Sequence, residues 1–261
     1  AEQMQILGVP VQQGGHAIDF VRMHDGCSFQ EAVAKLLGGE QGQTFRSASE
    51  RNAEPQKLFA LPLPHHNMRR VYAYLMKQRH IDRDIITHFA RAGTLYEDAK
   101  YHNAVFVGTD EHGVSRHAQK RSTNSQGKSF KLNVAGSDAR YSFHHLGDDG
   151  DLYVFEAPID LLSYITLHPE NWQQHSYVAC CGTSYEPVRW ILTRMEAPQM
   201  VSLCLDHDNA GDQGCERMAK QISSEFGFPT RRLVPEQKDW NEDLCALREA
   251  PRRQRMEMEM R

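Results

Sequence analysis

The stretch Val201–Gly214, VSLCLDHDNAGDQG, decides the fold. An apolar run from Val201 to Leu205 stops at two aspartates one residue apart, Asp206 and Asp208. A small, glycine-containing turn follows, and an amphipathic segment carrying a third carboxylate, Asp212. This is the pattern of a buried strand that breaks at solvent and turns into a helix. Ala210-Gly211 lets that helix begin close against the strand, since neither residue brings a bulky side chain.

Working outward, the same unit repeats from Asp151 onward. LYVFE reads as a strand and APIDLLSYITL as a helix; SYVACCG is a strand and EPVRWILTRM a helix. MVSLCLD and AGDQGCERMAKQISSEFG form the third pair; TRRLVP is a fourth strand, and WNEDLCALREA closes the ordered part. Continuous apolar strands alternating with helices predict a mostly parallel sheet covered on both faces. Right-handed crossovers then gather the C-terminal strand ends on one edge. Glu156 ends the first strand, Asp206 the third, and Asp208 lies just beyond it. Asp239 follows the fourth strand in EQKDWNEDL, and Asp160 sits one helical turn after Glu156.

Acids collected this way need a cation. Two carboxylates about 4 Å apart repel by roughly 4 kcal/mol at an effective dielectric near 20. Carboxylate oxygens suit Mg²⁺ or Mn²⁺, which keep several waters and bind substrate phosphates. Asp206 and Asp208 are therefore candidate ligands, and Glu156 is placed to hold a second ion or to move a proton. The competing reading is that aspartates at strand ends are ordinary helix caps. Gly182-Thr183, after the second strand, offers backbone N–H groups to an anion.

Upstream, Ser28 caps a helix with Glu31 at the capping-box position. Gly38 to about Pro64 reads as a linker, poor in apolar periodicity. NMRRVYAYLMKQRHIDRDIITHFARAG gives two helices, with Asp82 as a cap and Gly93 as the terminator of the second. NAVFVGTDEHGVSRHAQKR predicts a strand, a turn at Asp110 to Gly113, and another strand. Between Thr109 and Arg140 lie Arg116, Lys120, Arg121, Lys128, Lys131 and Arg140 against three acids, a local excess suited to phosphate contacts. Even spacing puts Arg116 and Lys120 on one strand face. Tyr141 and Phe143 are candidates to stack on bases.

The 261 residues are 40% hydrophobic and 25% charged, with a formal net charge of −4, which excludes a uniformly basic nucleic-acid binder. No apolar run reaches the roughly 18 residues of a membrane span, and no secretory leader opens the chain, so a cytoplasmic protein is expected. Six cysteines without a CxxC pair read as reduced thiols. Fourteen histidines are scattered; His65-His66 and His144-His145 lack zinc-site spacing, so no zinc is expected. The opening residues, from Ala1, read as the middle of a motif, so an N-terminally incomplete fragment is expected.

The segments VFEAPIDLLS, CCGTS, LCLDHDNAGDQG and KDWNEDL resemble a Toprim domain, the metal-dependent catalytic module of primases, topoisomerases and some nucleases. The resemblance implies Glu156 as general acid/base and Asp206 and Asp208 as metal ligands, with Asp160 and Asp239 completing the acidic set. GGHAIDFVRMHDGCSFQEAVAKLL is similar to the tail of the zinc-ribbon domain of bacterial DnaG-type primases, and YLMKQRHIDRDIITHFARAG to the start of their polymerase core. NAVFVGTDEHG…AQKR and FKLNVAGSDARYSF are similar to that core's basic strands. Two departures stand out: no zinc ligands precede Gly14, and Asn241 replaces a second acid, with Asp243 as a substitute.

The expected domains are a zinc-ribbon remnant over 1–40, a linker over 41–64, a basic α+β primase-core subdomain over 65–148, a Rossmann-like Toprim domain over 149–250 and a tail over 251–261. The implied function is Mg²⁺-dependent primer synthesis on single-stranded DNA from nucleoside triphosphates, in replication or transfer of a plasmid or other mobile element. A replicative helicase or relaxase is the implied partner. A Toprim nuclease or nicking enzyme, and a non-catalytic DNA-binding accessory, are the rival readings.

Overall fold

The computed structural model describes residues 21–22, 24–36, 58–124, 129–195 and 198–259. The chain divides into two compact units, residues 1–55 and 56–261. In the first unit, helix α1 (Phe29–Leu36) carries the expected capping box. The Ser28 N–H donates to Glu31 Oε2 at 2.8 Å, and the Glu31 N–H donates back to Ser28 Oγ at 3.4 Å. Of the expected zinc-ribbon remnant, residues 1–20, 23 and 37–40 lie outside the described residues, as does the linker up to residue 57.

The second unit opens with α2 (Arg69–Ala73), which runs into a π-helical turn over Tyr74–Gln78, and α3 (Arg83–Arg91). Asp82 is at the N-cap position, but its side chain makes no cap bond; it pairs with Arg248 at 3.1 Å instead. Four antiparallel strands follow in sequential order: β1 (Leu95–Glu97), β2 (Ala104–Thr109), β3 (Ser115–Arg121) and β4 (Lys131–Asn133). The β2–β3 turn is closed by Asp110, whose Oδ1 accepts from the His112 and Val114 N–H groups. Gly113 takes φ +75° there.

Five strands make the second sheet: β5 (His144–His145), β6 (Asp151–Phe155), β7 (Ser176–Ala179), β8 (Met200–Leu203) and β9 (Thr230–Arg232). Their order is β5-β7-β6-β8-β9, parallel except for β5. Strand β5 comes from the region read as the basic subdomain, so pairing crosses the boundary drawn at residue 148. Helices α4 (Pro158–Leu167), α5 (Glu186–Leu192), α6 (Asn209–Glu225) and α7 (Trp240–Glu259) alternate with the strands.

The two sheet faces bury different partners. Leu152, Val154, Val178, Val201 and Leu203 pack with α5 and α6 through Val188, Ile191, Met218 and Ile222. Tyr153, Phe155, Tyr177 and Ala179 face α4 and α7, and this core continues without a break into Val71, Ile86, Phe89 and Phe106. Burial of a large side chain of this kind contributes about 1.5–3 kcal/mol. The shared core fixes the four-stranded sheet beside the C-terminal edge of the parallel one.

Candidate metal centre and its basic rim

The acids arrive at that edge by slightly different routes from those expected. Strand β6 ends at Phe155, and Glu156 is the first residue past it. Strand β8 ends at Leu203, so Asp206 stands three residues beyond, on a backbone held by side chains rather than by the sheet. Arg232 supplies most of the hold: Nη1 donates to the Leu205 carbonyl at 2.7 Å, and Nη2 to the Asp206 carbonyl at 2.8 Å. Trp240 Nε1 donates to the Cys204 carbonyl at 2.9 Å. Asp212 pairs with Arg232 at 3.1 Å. The third carboxylate of the opening stretch therefore steadies the clamp.

Helix α6 starts against this backbone. A Cβ on Gly211 would fall 2.1 Å from the Asp206 carbonyl oxygen, so only glycine fits. Asp208 caps the helix, its Oδ1 accepting from the Gly211 N–H at 2.9 Å. Asp239 caps α7 in the same way, Oδ1 accepting from the Glu242 N–H at 2.8 Å. The capping role weighed against metal binding is thus real for both, and each uses one oxygen in it.

The remaining carboxylates act on one another. Asp206 is pushed up to about 6, first by burial and then by the charges of Glu156, Asp239 and Asp208; Lys131 acts in the opposite sense. Asp160, 6% exposed on the first turn of α4, is pushed well above the usual carboxylate range by burial, then by Asp239, Asp206 and Glu156. Asp206 Oδ1 is buried with no hydrogen-bond partner. An orphaned carboxylate oxygen among mutually repelling acids fits a divalent cation, which would supply both the missing partner and the missing charge. Among the described residues, the two groups of three ligating side chains whose ligand atoms lie within 4.8 Å of one another are elsewhere in the fold, so this edge is an open arrangement rather than a closed cage.

Several expected residues have other duties. Asn241 is 2% exposed; its Nδ2 donates to the Arg79 carbonyl at 2.8 Å and to Ser163 Oγ at 2.9 Å, while its Oδ1 accepts from Arg79 Nη1 at 3.0 Å. An acid at this position would have no proton to give those acceptors. Asp243 does not substitute as a ligand, because its two oxygens accept from the Glu236 and Gln237 N–H groups. The Gly182 N–H is donated to the Glu156 carbonyl at 3.1 Å, which removes it from the expected anion site. Thr183 lies in the same turn.

The basic strip splits. Lys131 and Arg121 are register partners in the β3–β4 pair and share one face. Lys131 Nζ reaches Glu156 Oε1 at 3.2 Å, and Arg121 Nε donates to Tyr74 Oη at 3.3 Å. Lys120 points the opposite way, where its register partner Val105 belongs to a small cluster covered by Phe59, Tyr96 and Val134. The shift of register between Gly108 and Thr109 falls opposite Arg116, so the period of two does not carry from Lys120 to Arg116. Arg116 is bonded to the turn carboxylate of Asp110 at 2.8 Å. Arg140 pairs with Asp138 and lies over the Tyr141 ring, and Tyr141 itself packs edge-on against Trp190. Phe143 is fully buried between Phe89 and Phe106, so it is a core residue and not a stacking platform. Lys128 lies outside the described residues.

Residues missed by sequence reading fill the gap between the two sheets. Arg79 Nε donates to Tyr74 Oη at 2.9 Å, which links Arg121, Tyr74, Arg79 and Asn241 in one network. The π-helical turn sets Tyr74 and Arg79 at this spacing, and nothing in the periodicity announced it.

Comparison with known proteins agrees with this architecture. Residues 153–244 match a family model described as Toprim-like, and residues 73–149 match one described as a protein of unknown function, DUF3991. An uncharacterized protein of Bacillus anthracis, pXO2-78, is 28% identical over 250 residues, 88% of this chain and 72% of its own. The primase fragment of the bacteriophage T7 primase-helicase protein shares the fold, with a TM-score of 0.50 and 18% identity over 67% of this chain and 69% of that one. The zinc-binding and RNA polymerase domains of Aquifex aeolicus primase align with a TM-score of 0.46 and 17% identity, over 90% of this chain and 69% of that one. Residues 153–244 are thus Toprim-like, joined to a four-stranded antiparallel subdomain, and the fold is one shared with the T7 primase fragment. Among the described residues, no helix is long and apolar enough to cross a membrane.

Proposed function

We propose that this protein is a Mg²⁺- or Mn²⁺-dependent, primase-type nucleotidyltransferase that joins nucleoside triphosphates on a single-stranded DNA template. The observation that carries the reading is the buried, unpartnered Oδ1 of Asp206 within a set of carboxylates that raise its hold on a proton. Asp206 and Asp208 would hold the ion, with Asp239 and Asp160 as the surrounding acids. The bound ion would neutralise the triphosphate and the charge that develops on the reacting oxygens.

The chain's own groups do the rest. Glu156 accepts the proton of the attacking 3′-hydroxyl, and its contact with Lys131 orients it toward the open edge. Lys131 and Arg121, on the face that meets the acids, receive the phosphates. Lys120, Arg116, Arg140 and Lys128 belong to the template's path, where contacts to the DNA backbone position the strand without reading its sequence. The mobile-element setting and a helicase or relaxase partner rest on the resemblance alone.

Primer synthesis on a single-stranded template, with labelled triphosphates and Mg²⁺, tests this. Glu156→Gln is expected to lower the rate about 100-fold or more, and Asp206→Asn to reduce it to background, with circular dichroism unchanged. Full synthesis by both variants would refute the assignment. Cleavage of labelled DNA without triphosphates would move the chemistry to a nuclease using the same acids. Single-strand binding indifferent to Mg²⁺, with neither activity, would leave a DNA-binding accessory.

A further inference from the structure

A second group of ligating side chains lies far from the Toprim acids in sequence, at the free edge of the four-stranded sheet. The segment before α2 pairs with β1 there: the His65 N–H donates to the Glu97 carbonyl at 2.7 Å, and the Ala99 N–H to the Leu63 carbonyl at 2.8 Å. This pairing brings His65, from that segment, to Glu97 on β1 and His102 in the loop beyond it. Ligand atoms of the three residues all lie within 4.8 Å of one another.

Glu97 is 1% exposed, and the structure gives its carboxylate an unusual set of partners. Oε2 accepts from the N–H groups of Arg70 and Val71 at the start of α2, at 3.0 and 3.2 Å. Oε1 faces two imidazoles, His102 Nδ1 at 2.6 Å and His65 Nδ1 at 3.8 Å. A buried carboxylate is ordinarily matched by a lysine or arginine, but among the described residues the ion pairs of Glu97 are with His65 and His102. The two rings meet edge to face with centroids 4.6 Å apart. His102 adopts φ +59°, a left-handed conformation uncommon for a residue with a side chain, and this backbone turn delivers its ring to Glu97.

We propose that His65, Glu97 and His102 bind a Zn²⁺ ion that clips the chain before α2 to β1. Two imidazoles and one carboxylate are a ligand set that suits zinc and that Mg²⁺ does not favour, which separates this centre from the all-carboxylate edge. Tetrahedral zinc with bonds near 2.1 Å sets its ligand atoms about 3.4 Å apart, between the 2.6 and 3.8 Å of the metal-free contacts. One outer contact is in place, the Arg70 and Val71 N–H groups that anchor the carboxylate. The Asn67 carbonyl oxygen, 3.0 Å from His65 Nδ1 in the metal-free chain, would be released when that nitrogen binds zinc. His66, whose ring centroid is 4.0 Å from that of His65, is the neighbour nearest to hand for a fourth position otherwise open to water.

The full chain, stripped with a chelator, is dialysed against micromolar Zn²⁺ and its metal content measured. Co²⁺ is used in parallel as a spectroscopic probe of tetrahedral nitrogen and oxygen ligation. About one tightly held ion per chain is expected. Its apparent Kd should rise at least about tenfold in His65→Ala and in His102→Asn, asparagine being chosen because it tolerates the left-handed backbone. Glu97→Gln keeps an oxygen for the helix N–H groups and tests the ligand charge without removing the cap. Asp206→Asn and Asp149→Asn should leave this ion in place, which separates it from the acidic edge and from the Asp149–Asp151–His175 group. No zinc retained by the native chain, or the same zinc content and affinity in all three ligand variants, would overturn the proposal.

Discussion

The parallel sheet and the antiparallel sheet obey different rules of legibility, and the acidic edge lies where they meet. In the parallel sheet, the acids occupy ends of strands whose direction is forced by the helical crossovers, so topology alone gathers Glu156 and Asp206. In the antiparallel sheet, the direction of each basic side chain depends on register and on a single bulge. A lysine and an arginine four residues apart, Arg116 and Lys120, look equivalent in sequence and are not. The useful distinction is between Lys131, which touches Glu156, and Lys120, which lies on the far face.

The largest expected effect tests the parallel side of the comparison. Gly211→Ala places a methyl group 2.1 Å from the Asp206 carbonyl oxygen, a backbone atom that cannot swing away. A loss of about 3 kcal/mol in urea unfolding is expected, together with loss of Mg²⁺ binding as Asp206 is displaced. Gly113→Ala, in the turn of the antiparallel sheet, meets open space and carries only the strain of φ +75°, about 1 kcal/mol. Equal losses at the two glycines would mean that the close approach at Asp206 is not a constraint of the folded protein.

The next effect tests the basic side. Lys131→Met should raise the KM for nucleoside triphosphates roughly tenfold, the size of one charge-assisted hydrogen bond. Lys120→Met should leave that KM unchanged and weaken only single-strand binding, with a shallower salt dependence. Reversal of the two outcomes would show that the phosphates enter over the far face of the sheet.

These tests follow the limits of what the residues announced. The four parallel strands, the caps at Asp208 and Asp239 and the close packing at Gly211 were legible because each is written in a short run of sequence; the antiparallel strand β5, read as part of the basic subdomain, was not. Arg232, Trp240 and the Arg79–Asn241 bond were not, because each joins segments 20 or more residues apart and follows no local period. The same reason hid the cluster of His65, Glu97 and His102, whose side chains come together only when the chain before α2 adds to the edge of β1.

The smallest expected effect asks whether the acidic edge is under electrostatic strain. Asp206 is held near 6 in the folded protein against an ordinary value of 3.8. Below pH 3.8 the carboxyl is protonated in folded and unfolded chains alike and contributes nothing to the difference. Between 3.8 and about 6 the unfolded chain releases a proton that the folded chain retains, so folded stability falls as pH rises; above 6 the full repulsion remains. In metal-free protein, Asp206→Asn should therefore melt about 2–4 °C above the native chain at pH 8, with the advantage vanishing toward pH 4. Added Mg²⁺ should stabilise the native chain at pH 8, have little effect at pH 5, and stabilise the variant much less at either pH. Thermal melts of both proteins across this range, with and without Mg²⁺, decide the matter. If Asp206→Asn is no more stable than the native chain at pH 8, Glu156, Asp208 and Asp239 do not press on Asp206, and the edge has no standing demand for a cation.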